Sequence, residues 1–466
     1  LHTIPTASAD GVLLTPAPSG SFPAVPPIST LGNPVQQIAF GLDDKLKTPY
    51  SELVDVAFSR ELPGGLIFQA AYVGRFAHRL LHQRDLAMPL NLKDPKSGMD
   101  YFAAATIFSK TFYAQGPNAI VAPIPFWEDL FPAAAGTCGA DTSATQCMFN
   151  LFAQGNIGPG TFGETNAINI FDAFCFPSCL QLPGQPAGGV PYQFYTPQYT
   201  ALYAWSSIGF SSYNAGQFTL RSQPIHGVQF DFNYTYGNSI DVGSDAERVG
   251  IYGGLSAIIN TWSPYQLRSV SDFDIRHSIN TDFIAELPFG QGRRFGHSWN
   301  RGLNMILGGW ELSGIGRWSS GLPFSVGNGG TFPTNFQLSG QVFTNGVVPK
   351  TGKFYLGPGG DPNVFALGDT QTIVGNFRYA YPGESGQRNN FRGDGFFNID
   401  AGVNKNLKIT ERFNLQLSAY AFNVTNSVRF DAQTVNANTQ NAKVFGTYSG
   451  DYTPSRRFEF AARLSF

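Results

Sequence analysis

Residues 457–466 read RFEFAARLSF, and apolar side chains alternate with polar or small ones along the whole stretch. Successive side chains of a β-strand point to opposite faces, so the pattern predicts a strand with one apolar and one charged face. Such a strand suits the edge of a soluble sheet, and it also suits an outer-membrane β-barrel, which turns its apolar face to lipid. The aromatic residue at the end of the chain favours the barrel. The apolar positions are Phe458, Phe460, Ala462, Leu464 and Phe466.

The composition narrows the class of protein. Charged residues make up 13% of the 466 positions, about half the usual globular share, while aromatic residues reach 14% and glycine 53 residues. The net charge of −2 gives no electrostatic reason to expect a nucleic-acid partner. No stretch approaches the roughly 18 uninterrupted apolar residues of a transmembrane helix. A membrane-spanning form of this chain would therefore cross with strands closed into a barrel.

The same alternation recurs along the chain and predicts about nine strands. Their connections alternate strictly between short and long, as in outer-membrane barrels with short periplasmic turns and long extracellular loops. Charged residues occupy the polar face, which a water-filled lumen tolerates and a dry soluble core does not. The sequence therefore predicts an all-β, antiparallel transmembrane outer-membrane β-barrel, partial here with about nine or ten strands. The predicted strands are 51–62, 66–73, 212–221, 228–236, 272–287, 305–318, 397–409, 413–421 and 457–466. The short connections are 63–65, 222–227, 288–296 and 410–412, and the long ones are 86–210, 240–270, 319–395 and 427–456.

Two segments follow from this division. Residues 1–48 are rich in proline and predict the irregular tail of an extracellular loop, whereas residues 49–466 form the C-terminal part of the barrel. Residues 99–111 predict a short helix within the first long loop. Counted back from the C-terminus, the first strand runs from outside to inside, so we expect further strands upstream of it.

The four cysteines all lie in the first long loop. Their short local spacings predict two disulfides in an oxidising compartment, Cys138 with Cys147 and Cys175 with Cys179. A zinc site is the alternative. The spacings are loose for zinc, however, and no histidine lies between Cys138 and Cys179.

A cluster of charged residues on the polar parity is the candidate binding site. It comprises Asp272, Asp274 and Arg276, together with Asp231 and Arg317. These side chains either bind a polar ligand in the lumen or pair with one another as a structural network, since charges in a lumen must be paired. The Asp-x-Asp pattern lacks the further oxygen ligands of a calcium loop, so no metal is expected.

Aromatic residues on the apolar parity have two interpretations. They could form a platform on which sugars stack, or the girdle of a membrane barrel, and we favour the girdle. The residues are Tyr234, Tyr236, Trp310, Trp318 and Phe466. His277 lies at the same parity near a strand end and predicts an interfacial side chain. The chain has six histidines and lacks a Gly-x-Ser-x-Gly elbow and the Walker and Rossmann glycine patterns, so we expect neither an enzyme nor a cofactor.

Several stretches resemble the barrel of TonB-dependent receptors, specifically the Oar-like branch. The likeness covers roughly residues 49–466. The stretches are Ser212–Ala215 (SYNA), Phe230–Tyr236 (FDFNYTY) with Ser239–Asp241 (SID), Ser271–His277 (SDFDIRH), Glu286–Gly290 (ELPFG), Gly308–Gly314 (GGWELSG), Ser320–Phe324 (SGLPF) and Ala421–Asn426 (AFNVTN).

The resemblance implies a receptor in the bacterial outer membrane, with a barrel of typically 22 strands filled by an N-terminal plug. Such a receptor captures a bulky, scarce ligand at its extracellular loops and passes it through the lumen with energy relayed by TonB. The sequence shows no plug or TonB box, so we expect residues 1–466 alone not to transport. The alternatives are a non-transporting surface protein or adhesin and a soluble all-β binding module.

The implied partners follow from the same resemblance. They are outer-membrane lipid, the TonB complex acting through a plug, an unknown extracellular ligand and the barrel-assembly machinery. The candidate assembly signal is the C-terminal set Phe458, Phe460, Leu464 and Phe466.

Overall fold

The computed structural model describes residues 37–88, 91–154, 199–224, 227–244, 258, 260–332, 335–357, 359–366, 370–410 and 412–466. The strands are β1 Gln37–Leu42, β2 Tyr50–Leu62, β3 Leu66–Asp85, β4 Tyr199–Ser222, β5 Val228–Asp241, β6 Ser269–Val270, β7 His277–Glu286, β8 Trp310–Ser319, β9 Pro323–Phe324, β10 Gly327–Phe332, β11 Asn335–Thr344, β12 Tyr355–Leu356, β13 Pro362–Asn363, β14 Phe377–Tyr379, β15 Phe391–Arg392, β16 Phe396–Lys408, β17 Asn414–Phe422 and β18 Arg457–Ser465. The helices are α1 Tyr101–Gln115, α2 Pro125–Leu130, α3 Ala144–Gln154, α4 Arg301–Leu307 and α5 Thr370–Val374.

The main sheet has 11 strands, nine of which form an antiparallel meander in the order β2-β3-β4-β5-β7-β8-β16-β17-β18, while β1 pairs with β4 and β6 with β5. The strands of the meander correspond one by one to the nine predicted from the sequence. Within the described residues, the edge strands β2 and β18 do not pair with each other, so the sheet is not closed. The first turn, Pro63–Gly65, shows why the hairpins are tight. Gly64 and Gly65 have φ of 84° and 70°, a backbone conformation that glycine adopts without the steric cost other residues pay.

The register of the sheet aligns polar residues with polar ones and apolar with apolar ones. One transverse row, from β2 to β16, is Ser59, Gln69, Thr219, Asn233, Asn280, Arg317 and Asn398. The adjacent row, on the opposite face, is Phe58, Ala70, Phe218, Tyr234, Ile279, Trp318 and Phe397. Paired residues in a sheet share a face, so one face is polar and the other apolar across seven strands.

The two ends of the sheet differ in their connections, and we call them the turn end and the long-loop end. Strands β3 and β4 have 20 and 24 residues, about twice the 9–11 needed to cross a bilayer. Both strands therefore continue beyond the membrane-spanning part at the long-loop end. No helix among the described residues is long and apolar enough to cross a membrane.

The turn end corrects one predicted strand boundary. The strand predicted from residue 305 begins at Trp310, because residues 301–307 form α4 instead. Asn300 caps this helix, since its side chain accepts a hydrogen bond from the Leu303 backbone N–H at 2.8 Å. The cap gives the segment a helical start that the apolar pattern alone does not reveal.

The long-loop end corrects several predictions. The segment 1–48 was predicted to be a loop, but Gln37–Leu42 forms β1 and pairs parallel with β4; residues 1–36 lie outside the described part. The predicted loop 86–210 is shorter than expected, because β4 begins at Tyr199. The predicted loop 240–270 contains β6. The predicted strand 272–287 begins only at His277, because Asp272 and Asp274 lie in a turn closed by the Asp274 N–H to Ser271 O bond of 2.9 Å.

Residues 91–154 form a helical module with its own core. The helix predicted at 99–111 is α1, capped by Asp100, whose side chain accepts from the Ala103 N–H at 2.8 Å. Phe108 and Trp127 are fully buried and stack with their ring centroids 4.9 Å apart. The other fully buried aromatic residues of this module are Tyr101, Phe126, Phe149 and Phe152.

The loops predicted at 319–395 and 427–456 are not irregular, because they fold together. They contribute the small sheet β10-β11-β14 and a second buried cluster. Phe365 from the first loop stacks on Phe445 from the second, with ring centroids 5.3 Å apart. This packing places two chain segments far apart in sequence over the long-loop end of β7, β8 and β16.

Candidate functional site

A buried arginine occupies the centre of a charged cluster at the long-loop end. The side chain of Arg388 is 1% exposed. Its Nη1 donates to Asp241 Oδ1 and its Nη2 to Asp272 Oδ1, both at 2.7 Å. Asn389 also donates to Asp272 Oδ1, at 2.6 Å. Two carboxylates thus offset one buried guanidinium, which would otherwise be too costly to bury.

A second arginine joins the same turn from the opposite side. Arg392 forms an ion pair with Asp274 and donates from Nη1 to the Asp274 backbone oxygen at 2.9 Å. The other oxygen of Asp274 accepts the Ser239 backbone N–H at 2.6 Å. Arg276 Nη2 lies 4.0 Å from Asp274 Oδ2. The turn that follows β6 is therefore held by charged groups on both flanks.

The structure brings together only part of the cluster predicted from the sequence. Asp272, Asp274 and Arg276 lie together, but in the turn before β7 and not on the polar parity of a strand, whereas Asp231 and Arg317 lie on the polar face of the sheet, away from them. Asp231 Oδ1 pairs with Arg221 Nε at 2.5 Å. Arg317 stands in the polar row, between Asn280 and Asn398.

Sequence reasoning missed the two arginines that organise the site. Arg388 and Arg392 lie in the stretch QRNNFRGD, 387–394, which has no strand or helix periodicity. Arg388 contacts Asp272 across 116 residues of sequence. No local pattern connects such a pair, and only two basic residues four positions apart in a glycine- and asparagine-rich loop could have indicated it.

A cavity of about 300 Å³ opens beside Arg388. Asp272, Asn389 and Gln341 contribute its polar lining, and Phe324 and Val435 contribute part of its apolar lining. Residues from β9 and β11 and from the last long loop thereby share one wall. The cavity has the size of a small-molecule pocket at the lower end of the usual range of roughly 300–1,000 Å³.

A smaller cavity, of about 200 Å³, lies at the base of the same loops. Asp394 lines it, and burial raises the pKa of this carboxyl even though Arg429 Nη1 lies 3.4 Å from Oδ1. The Asp394 backbone N–H donates to the Tyr448 hydroxyl at 2.8 Å. Among the described residues, no group of three or more His, Cys, Asp or Glu side chains is placed to hold a metal ion.

The aromatic residues of the apolar parity divide between the two ends of the sheet. Tyr234, Tyr236 and Trp318 surround His277 at the long-loop end, where the Tyr234 hydroxyl lies 2.9 Å from His277 Nδ1. Trp310 lies at the turn end. Phe466 contacts Phe413 there, with ring centroids 6.4 Å apart. Two belts at opposite ends are typical of a membrane girdle, whereas a sugar platform would gather at one end.

The predicted disulfide between Cys138 and Cys147 is present in the helical module. It joins the segment before α3 to the first turn of that helix. Cys175 and Cys179 lie outside the described residues.

Comparison with known proteins gives one family match and several similar solved structures. A family model described as "Outer membrane beta barrel domain" matches residues 3–459. The outer membrane transporter YddB from Escherichia coli is 12% identical, with a TM-score of 0.36 over 92% of this chain and 34% of that one. A mutant of the ferric enterobactin receptor PfeA from Pseudomonas aeruginosa is 10% identical, with a TM-score of 0.32 over 91% of this chain and 32% of that one.

The FrpB iron transporter from Neisseria meningitidis is also similar, at 8% identity and a TM-score of 0.30, over 91% of this chain and 32% of that one. The chain spans about a third of the length of these three solved structures. No curated protein matches the chain.

Proposed function

The chain belongs to the family of outer-membrane β-barrel domains, and from that premise we propose that it is the barrel of a TonB-dependent receptor. Family membership confirms the predicted fold class and the predicted location in the bacterial outer membrane. In the proposed function, the long-loop end faces outward and captures a ligand, which then passes along the polar face of the sheet. Passage would use energy relayed by TonB through a plug.

The charged cluster around Arg388 is the observation that carries this proposal. It combines a buried, paired guanidinium with a cavity of about 300 Å³ at the mouth of the sheet. Polar groups fixed at the edge of a concave site are typical of small-molecule recognition. The polar row that includes Asn233, Asn280 and Arg317 crosses the strands on the polar face of the sheet and supports a hydrophilic route along that face.

The remaining partners are part of the same proposal. Lipid would cover the apolar face, and the barrel-assembly machinery would recognise the C-terminal strand through Phe458, Phe460, Leu464 and Phe466. We propose no catalytic role, since Asp241, Asp272 and Asp274 are each paired with an arginine.

Uptake by intact cells tests the proposal. Cells that make the whole protein are compared with deletion cells, each with and without a working TonB system, and mass spectrometry follows the small molecules removed from the medium. We expect at least one compound to be removed only when both the protein and TonB are present. The proposal would be contradicted if a compound were removed from the medium equally with and without TonB, or if the strains did not differ.

A pair of arginine variants places the effect at the mouth. Arg388→Gln should abolish most of the TonB-dependent removal, because it leaves Asp241 and Asp272 unpaired. Arg293→Gln is the matched control, since Arg293 pairs with Glu286 at the exposed turn end, at 2.5 Å, and should leave uptake unchanged.

One observation favours a second candidate, a non-transporting surface protein or adhesin. Residues 91–154 have a buried aromatic core and a disulfide of their own, and Ile120 is 89% exposed on this module. A stable module on an outer loop suits contact with another cell. Deletion of residues 91–154 that abolishes cell adhesion but leaves uptake intact would assign adhesion to the module and uptake to the barrel.

A further inference from the structure

Gln341 in β11 lies at the mouth of the sheet, but the ion pairs of the charged cluster do not account for its buried side chain. The residue is 2% exposed and lines the cavity of about 300 Å³. Neither its Nε2 nor its Oε1 has a hydrogen-bond partner within the described part of the chain. The Nε of Arg388, which lines the same cavity, has no partner there either.

Buried polar atoms without partners are rare, because removing them from water without a new hydrogen bond is costly. Here three such atoms belong to two residues that line one cavity. Two of the neighbouring polar side chains are already engaged: both Nη atoms of Arg388 bind carboxylates, and the Asn389 amide nitrogen binds Val270 O and Asp272 Oδ1. The three atoms are buried in the wall of the cavity, so a molecule that enters it can supply their partners once the Gln341 side chain turns toward it.

The donor or acceptor character of these three atoms determines which class of ligand the cavity can bind. Gln341 Nε2 and Arg388 Nε are donors, whereas Gln341 Oε1 is an acceptor. A cation offers no acceptor and would leave the two donors unpaired. An anion without a proton to donate would leave Oε1 unpaired, and it would also meet the carboxylate of Asp272, which lines the cavity.

We propose that this cavity binds an uncharged ligand group that both donates and accepts hydrogen bonds, in the form of an amide or adjacent hydroxyls. Phe324 and Val435 supply the apolar wall against which the carbon skeleton of such a group packs. The cavity volume limits the group to about the size of one sugar or amino-acid unit. The inference rests on the proposed function, because it names the ligand class of the same mouth.

Binding of three related probes to the detergent-solubilised protein tests the inference. N-acetylglucosamine is uncharged and carries an amide and adjacent hydroxyls, glucosamine is its cationic counterpart and glucuronate an anionic one of similar size. We expect measurable binding of N-acetylglucosamine by isothermal titration, and at least tenfold weaker binding of the other two.

Substitution of Gln341 should remove the preference. Gln341→Met keeps the length of the side chain but loses the donor and the acceptor, so the affinity for N-acetylglucosamine should fall roughly 10- to 100-fold, about tenfold for each lost hydrogen bond. Gln371→Met on α5 is the matched control, because Gln371 is exposed and away from the cavity. This variant should bind N-acetylglucosamine with the affinity of the wild type. Ala437→Leu narrows the cavity without removing a hydrogen bond and should also weaken binding.

Several results would overturn the inference. They are equal affinity of the wild type and Gln341→Met, a preference for glucosamine or glucuronate, and no binding of any probe by correctly folded protein. TonB-dependent uptake that persists in such a case would leave the proposed receptor function standing. Intact probe binding without TonB-dependent uptake would overturn the receptor function and keep the cavity assignment.

Discussion

The membrane-spanning sheet and the long-loop end are built on different physical grounds. Along β18 every residue is exposed, and the apolar parity has no protein to pack against. In the long-loop region, by contrast, Trp127 and Phe365 are almost fully buried against other aromatic rings. The strands depend on lipid to cover their apolar face, whereas the loops carry cores of their own. A substitution should therefore act through the membrane in one region and through packing in the other.

The largest effect is expected in the helical module. Trp127→Ala removes a fully buried ring and should destabilise residues 91–154 by about 3–5 kcal/mol, while the sheet keeps its stability. Hydrogen exchange resolved along the chain measures both regions at once. Ile120→Ala, at a side chain 89% exposed, should change neither region. Equal loss of protection in the strands would show that the two regions unfold together.

The opposite test places a charge on the lipid-facing parity. Phe232→Arg in β5 should cost about 2–4 kcal/mol at mid-depth, while Asn233→Arg, one residue along on the polar face, should be much milder. The measurement is the fraction of protein that assembles in outer membranes and its urea midpoint in lipid vesicles. Similar losses for both variants would mean that the inward and outward faces are assigned wrongly.

The disulfide gives an intermediate effect confined to the module. Replacing both Cys138 and Cys147 by serine should destabilise residues 91–154 by about 2–3 kcal/mol, because the bridge closes a short loop and restricts the unfolded chain. Proteolysis of intact cells should then cut the module faster without releasing the barrel. Unchanged cleavage rates would show that the aromatic core alone holds the module.

The smallest expected change in stability concerns the attachment of the strand β1 to the sheet. Asp43 accepts hydrogen bonds from Arg84 Nη2 and Ser206, both at 2.8 Å. Burial alone would raise the pKa of Asp43, but these bonds and the Lys45 N–H outweigh it and lower the pKa from 3.8 to about 2. A lowered carboxyl pKa stabilises the fold above pH 3.8, and this contribution is lost as the pH falls toward 2.

Asp43→Asn should accordingly weaken the attachment of β1 by about 1–2 kcal/mol at neutral pH. Hydrogen exchange of residues 37–42, corrected for intrinsic rates, measures this. Between pH 6 and pH 2.5 the wild type should lose protection and the variant should change little. A pH response of equal size in the two proteins would remove Asp43 from the attachment.

The difference between the regions also explains what the sequence could reveal. All nine strands of the meander were predictable, because the lipid and the lumen impose a period of two that each strand shows by itself. The alternation of Phe230, Phe232 and Tyr234 with Asp231 and Asn233 is such a local signal. The helix α4 was not predicted, because the apolar residues just before Trp310 were assigned to the strand. Only the cap at Asn300 indicates a helix there.

The candidate site was only partly predictable for the same reason. Asp272, Asp274 and Arg276 were found because they are adjacent in sequence. Arg388 reaches them across more than a hundred residues, and Gln341 stands out only once its burial is known. Such contacts form only when two folded loops pack together, and neither loop has a sequence periodicity that predicts this packing.

The opposed faces of β5 can be measured directly. A nitroxide is introduced at each position from 228 to 236 through a ketone-bearing residue, so that the native cysteines stay untouched, and the protein is reconstituted in lipid vesicles. Collision rates with oxygen, which concentrates in lipid, and with a water-soluble nickel chelate then report each side chain's surroundings. We expect oxygen access to dominate at 230, 232 and 234 and nickel access at 229, 231 and 233. Uniform access along the strand, or alternation of the opposite sense, would contradict a sheet with one lipid-facing and one water-facing side.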